Sequence, residues 1–234
     1  VPDISEFRPR AVVFDLDGTL VDNMALHAQA FESFAAVHQL PPLTMDLRRR
    51  IDGKRNSEIF PMLFEREMTW DEVLQFEEEK EGAYRQVSRG RLVPVRGALT
   101  LLARLEAHGI GVAVATSAPL RNVLHTLGET GLDARLAIIA RGDEVARGKP
   151  FPDVFALAAE RLAVPPTECL AFEDAPIGVA AAVAAGMMTV GVATTFSADQ
   201  FDAHIPAPHT VVPDYEAFLD GPGRWLREEA VGSR

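Results

Sequence analysis

Six short apolar runs, each closed by turn residues, constrain this chain more than any other feature. They lie at 11–14, 110–115, 135–140, 168–172, 189–193 and 210–212. They are rich in Val, Ile and Ala and lack the alternation of a strand with one wet face. Such runs read as strands buried on both faces of a parallel sheet. Helical patterns lie between them at 97–108, 120–130, 152–162 and 176–185, as in the spacing of Leu99, Leu102 and Leu105. Strand alternating with helix predicts an α/β fold with a doubly wound, Rossmann-like parallel-sheet core.

One segment breaks this rhythm. Between the first and second apolar runs lie about 95 residues with no convincing strand. Helical patterns fill it at 24–38, 43–51, 57–68 and 70–88, the last opening on Trp70-Asp71-Glu72, with acids where a helix dipole favours them. The expectation is a discontinuous core, 1–21 and 92–234, with an all-helical cap inserted at 22–91 on hinges near 18–22 and 90–94. The stretch 221–234 offers at most one short helix with a frayed end.

Composition narrows the function classes. The 34 Asp and Glu against 23 Lys and Arg give a net charge of −11, which argues against nucleic-acid or membrane-surface binding, since both need a basic patch. The single cysteine, Cys169, excludes an intramolecular disulfide and fits a reducing compartment. The first ten residues hold no apolar signal core, and no stretch approaches ~20 apolar residues. A cytoplasmic protein with no obligate protein partner is expected.

Ligands of doubly wound sheets sit beyond the carboxyl ends of the strands, and four strand ends here are unusual. The first run leads into Asp15-Leu16-Asp17-Gly18-Thr19. Two carboxylates at i and i+2 can bind one metal ion or divide the work of nucleophile and acid/base, although Asp-x-Asp alone also suits a surface turn. The second run ends in Thr116-Ser117, whose hydroxyls and fresh N–H groups can hold a phosphate oxygen or simply cap a helix. After the third comes Gly148-Lys149-Pro150, which holds Lys149 on a fixed backbone path; a solvated loop lysine is the plain alternative. The fourth ends in Glu173-Asp174, adjacent acids that repel unless a cation sits between them. Asp15, the Asp17 carbonyl and Asp174 are hard oxygen donors suited to Mg2+, and no Cys/His cluster suggests zinc.

These four motifs, in this order on these strand ends, resemble the haloacid dehalogenase superfamily of phosphotransferases, and the inserted helices resemble the cap of its β-phosphoglucomutase-like branch. The resemblance runs from Arg10 to about Tyr215. It implies Asp15 as the nucleophile that becomes an aspartyl phosphate, and Asp17 as general acid and then base. It implies Thr116, with Ser117 beside it, and Lys149 as ligands of the transferring phosphoryl group. Asp15, Asp17 and Asp174 would hold Mg2+, with Glu173 a further ligand or an acceptor that supports the ligands from behind. Asp17 and Asp174 together argue against dehalogenation of carbon, which needs neither the acid nor the metal.

The cap is expected to choose the substrate. His27 lies twelve residues beyond Asp15, where sugar-phosphate members of the branch carry a histidine. It also shares a helical face with Phe31, Phe34 and His38 that reads equally well as cap core. Gly53-Lys54-Arg55 resembles the cap loop that reaches into the cleft, which puts Lys54 and Arg55 among the substrate-binding candidates, with Arg55 offset by one from the arginine of the mutases. Asn23 replaces the hydroxyl residue usual at its hinge position. The resulting expectation is a Mg2+-dependent phosphatase acting on a small phosphorylated metabolite, a sugar phosphate as first choice. A β-phosphoglucomutase-type isomerase is the alternative, and a catalytically inactive binding module on the same fold a third.

Overall fold

The computed structural model describes residues 3–203 and 206–227. Six parallel strands form one sheet: β1 (Ala11–Phe14), β2 (Gly111–Thr116), β3 (Ile139–Arg141), β4 (Cys169–Glu173), β5 (Met188–Val192) and β6 (Thr210–Val212), in the spatial order β3-β2-β1-β4-β5-β6. Register aligns Val13 with Ala113 on one side and Ala171 on the other. The chain builds outward from β1 in one direction and returns through β4 to build in the other. The carboxyl ends of β1 and β4 therefore flank the point where strand order reverses, the usual place for a ligand crevice.

Both faces of the sheet are covered, which is why the strand sequences lack alternation. Val12, Phe14, Val114, Phe172 and Val190 pack against α5 (Ala98–Ala107) and α10 (Tyr215–Asp220) through Leu101, Leu105, Tyr215 and Phe218. On the opposite face Ala11, Val13, Ala113, Ala115 and Ala171 meet α7 (Asp153–Arg161) and α8 (Pro176–Ala184). Alanines on that face let the helices approach closely. The sheet is completed by α6 (Leu120–Thr130) after β2 and a short α9 (Ala198–Asp202) after β5.

Between β1 and β2 stand α1 (Met24–Val37), α2 (Met45–Ile51), α3 (Asn56–Leu63) and α4 (Trp70–Ser88). They share an apolar centre of their own, including Phe31, Phe34, Leu47, Phe60 and Val73. Thr69 caps α4: its hydroxyl accepts from Glu72 N at 3.3 Å while the Glu72 carboxylate accepts from Thr69 N at 2.9 Å. The two connections to the sheet run side by side, with Asp22 N bonded to Val93 O at 3.0 Å and Val95 N to Leu20 O at 2.9 Å. Among the described residues no helix is long and apolar enough to cross a membrane.

The structure departs from the sequence reading in several places, among them the helices Ala198–Asp202 and Tyr215–Asp220, for which the sequence reading gives no pattern. The third strand is Ile139–Arg141 rather than 135–140, because the N–H groups of Arg135 and Leu136 bond back to Leu132 O at 3.0 and 3.1 Å and finish a turn after α6. Leu136 is still buried, so its apolar character reflects core packing and not a strand. The third cap helix stops at Leu63 instead of 68, with Glu65 at positive φ. The stretch 221–234, read as at most one short helix, holds a 3-10 turn at Arg224–Arg227, and 228–234 lie outside the described residues.

Candidate active site

Asp15 follows β1 directly and lies at the floor of a cleft between the sheet and the helices of 24–88. Lys149 Nζ donates to Asp15 Oδ1 and to Glu173 Oε1, both at 2.6 Å, with its side chain fully buried. The other oxygen of Glu173 accepts from Ala175 N at 2.8 Å. Thr19 Oγ1 lies 3.2 Å from Asp15 Oδ2 and 3.1 Å from Asp174 Oδ1. The loop lysine of the sequence is thus a buried ion-pair partner of two strand-end acids.

The electrostatics of this floor are unbalanced. Asp15, Glu173 and Asp174 are all buried, offer ligand atoms within 4.8 Å of one another, and share one cation. Burial pushes Asp15 up to about 7 although Lys149 pulls it down. Burial, then the charges of Glu173 and Asp15, raise Asp174 well above the usual carboxylate range. Burial alone would lower Lys149, but the two carboxylates outweigh it and hold the ammonium above the ordinary lysine value. Among the described residues Asp174 has no cation paired with it, and Asp15 Oδ2 faces it across the Thr19 hydroxyl. Two hard oxygens with uncompensated charge fit a divalent cation. Glu173 spends both oxygens on Lys149 and Ala175 N, so of its two readings the geometry suits an acceptor that holds Lys149 rather than a metal ligand.

Two glycines make this packing possible. Gly18 turns with φ +82°, and a Cβ there would lie 2.1 Å from Asp174 Oδ2. A Cβ on Gly178 would lie 1.6 Å from Glu173 Oε1. Gly178→Ala therefore displaces Glu173 and strips Lys149 of one partner. A loss of about 2–4 kcal/mol of stability is expected. A urea midpoint equal to wild type would show that Glu173 is free to move.

The carboxylate of Asp17 lies apart from the buried trio. Asn23 Nδ2 donates to Asp17 Oδ1 and to the Tyr84 hydroxyl, both at 2.6 Å, while Asn23 Oδ1 accepts from Gly18 N at 3.0 Å. Tyr84, in α4, also lies 3.2 Å from Thr126 Oγ1 in α6. Asn23 thus orients Asp17, a role sequence reasoning missed beyond noting an unusual hinge residue. Thr19 was missed too, and its signal was its place in the first motif. His27 stacks on Tyr84 with centroids 3.7 Å apart, and its Nε2 is 3.5 Å from Asp17 Oδ1. The face it shares with Phe31, Phe34 and His38 divides: Phe31 and Phe34 are cap core, His38 pairs with Glu79 at 2.9 Å, and His27 points to the cleft.

The cleft is lined from both sides, by Asp15 and Thr116 at the sheet and by Ile51 and Lys80 on the inserted helices. Thr116, Ser117 and Lys54 line it. Thr116 Oγ1 accepts from Ala118 N at 3.0 Å, and Ser117 Oγ donates to Gly53 O at 2.7 Å, tying the end of β2 to the cap loop. Arg55 is a correction. Its guanidinium turns away from the cleft and donates to the carbonyls of Gly142 and Val145 at 3.1 and 3.2 Å, with Glu58 as its acid partner. The next residue, Asn56, faces the cleft instead. Asn56 Nδ2 donates to Glu81 Oε1 at 2.8 Å, Asn122 Nδ2 donates to Glu81 Oε2 at 2.6 Å, and Lys80 Nζ bonds the same carboxylate. Burial pushes Glu81 up, but the Lys80 and His27 charges and the donated hydrogen bonds outweigh it and hold Glu81 at about 2.

The raised acids would give a divalent cation held here a pH signature. An acid whose folded value exceeds its unfolded one binds extra protons when folded, so stability falls as pH rises through that window. For Asp15 the window runs from 3.8 to about 7. A divalent cation binds the ionised form, so the rise in melting temperature on adding Mg2+ should grow between about pH 5 and about pH 8. Equal shifts at both pH values would place the ion elsewhere.

Comparison with known proteins gives the family. A haloacid dehalogenase-like hydrolase family model matches residues 9–186. The chain is 34% identical over 177 residues to a phosphorylated carbohydrates phosphatase of Thermotoga maritima, covering 76% of this chain and 82% of that one. It is 31% identical over 191 residues to a β-phosphoglucomutase of Bacillus subtilis, covering 78% and 83%. A HAD hydrolase of family IA, variant 3, from Entamoeba histolytica superposes with TM-score 0.80 at 26% identity, covering 93% of this chain and 99% of the other. The family match spans all four strand-end motifs, from Asp15 to Asp174, and the chain belongs to the haloacid dehalogenase-like hydrolases.

Proposed function

We propose that the protein is a Mg2+-dependent phosphatase that hydrolyses a small phosphomonoester, a sugar phosphate by preference, through an aspartyl phosphate on Asp15. The observation that carries this reading is the arrangement at the β1 end. Asp15 is held by Lys149 and Thr19 on the cleft floor, and Asp17, two residues on, is oriented separately by Asn23. We take 22–91 as the cap that covers the cleft.

In the first half-reaction an Asp15 oxygen attacks phosphorus, the bond from phosphorus to the ester oxygen breaks, and Asp17 gives that oxygen a proton. In the second, water attacks the same phosphorus, Asp17 takes its proton, and the bond to Asp15 breaks to release phosphate. Lys149, Thr116 and the N–H groups after β2 hold the phosphoryl oxygens, since a loose transition state needs positioning and neutralisation above all. Asp15, the Asp17 carbonyl and Asp174 would hold Mg2+, which would neutralise charge on the transferring group. Glu173 keeps Lys149 in place. His27 and Lys54 contact the part of the substrate that does not react.

The test is a screen of phosphorylated metabolites read as inorganic phosphate, with Mg2+ and with chelator. Steady release that chelation abolishes and Mg2+ restores is expected. The relative named β-phosphoglucomutase favours a second reading, in which a sugar hydroxyl replaces water as acceptor. Isomerisation that needs a trace of bisphosphate and frees little phosphate would establish it in place of hydrolysis.

A further inference from the structure

The cap side of the cleft also carries information about the far end of the substrate. Three cationic cap residues line it, Arg48, Lys54 and Lys80. Arg48 Nε is paired with Asp52 Oδ2 at 2.8 Å, and Lys80 Nζ with Glu81. Both acids line the same cleft. Lys54 alone of the three has no acid partner among the described residues. Glu81 cannot swing aside to release Lys80, because Asn56 from the cap and Asn122 from α6 both donate to it. Asn122 is itself anchored by Arg85 Nη1, which donates to its Oδ1 at 2.8 Å.

We infer that the substrate carries a single phosphate on an uncharged polyhydroxyl body, and that this wall discriminates against a second phosphate. The inference rests on the phosphatase reading and narrows its substrate class. A distal phosphate dianion would meet two carboxylates and two cations already neutralised by them, with Lys54 the unpaired cation of the wall among the described residues. Hydroxyl groups suit the same wall, because each can donate to Asp52 or Glu81 and accept from Arg48 or Lys80. Phe31, Ile51 and Ile59 line the cleft beside these groups and offer an apolar surface to the C–H edges of a sugar or polyol.

The test measures kcat/KM with Mg2+ for glucose and fructose 6-phosphates against their 1,6-bisphosphates, with p-nitrophenyl phosphate as a small ester. The better monophosphate should exceed its bisphosphate by at least about tenfold. Glu81→Gln removes the charge that neutralises Lys80 and should cut that ratio by about tenfold. Asp52→Asn frees Arg48 and should cut it in the same direction, which serves if Glu81→Gln does not fold. A wild-type preference for the bisphosphate, or an unchanged ratio in both variants, overturns the inference. So does hydrolysis of p-nitrophenyl phosphate with none of either sugar pair, while the phosphatase reading then survives. Failure to hydrolyse any ester overturns both.

Discussion

Asp15→Asn is expected to remove turnover altogether, a loss of at least about 10⁴-fold in kcat. An amide of the same shape cannot accept the phosphoryl group at that position, so no other residue of the cleft substitutes for it. The variant should fold. Asp15 is a buried acid held up to about 7 in the absence of metal, and neutralising it removes a desolvation cost while its carbonyl oxygen still faces Lys149. Two measurements separate loss of chemistry from loss of structure. Thermal melting without Mg2+ should be no lower than wild type, and mass spectrometry should detect a phosphoryl adduct in brief reactions of the wild type only. A phosphorylated Asp15→Asn protein would place the nucleophile elsewhere.

Lys149→Met is expected to lose both activity and stability. It removes the one ammonium that Asp15 and Glu173 share, with both partners at 2.6 Å and no exposed side-chain surface. Breaking a buried pair by deleting one partner leaves uncompensated charge, which costs about 3–5 kcal/mol. Proton uptake by Asp15 relieves part of that, so the loss should deepen as pH rises. The rate should fall by about 10³-fold or more, since the transferring group loses its fixed cation. Arginine should not rescue it, because a planar guanidinium cannot present one point charge to both acids in a site without spare volume. A variant within tenfold of wild type would leave Lys149 a structural role only.

Much of this is legible in the amino-acid sequence. Apolar runs such as Ala11–Phe14 read as strands because residues buried on both faces have no reason to alternate. The strand-end motifs read as a site because parallel topology brings strand carboxyl ends to one edge. The reading slipped where a local signal had a tertiary cause. Leu136 is apolar because a loop after α6 enters the core, which in sequence looks like the start of a strand. Arg55 is a cation in the cap loop, but the carbonyls of Gly142 and Val145 capture it from outside the cleft.

The order of elements, the inserted helices and the chemistry-bearing strand ends follow from period, burial and turn residues, all properties of neighbours along the chain. The roles of Asn23, Thr19, Glu173 and Glu81 do not. Each depends on partners from distant segments: Asn23 on Tyr84, Thr19 on Asp174, Glu173 on Lys149, Glu81 on Asn122. A polar side chain's task is set by which donor or acceptor lies within about 3 Å of it. That distance is decided only when sheet and cap have packed.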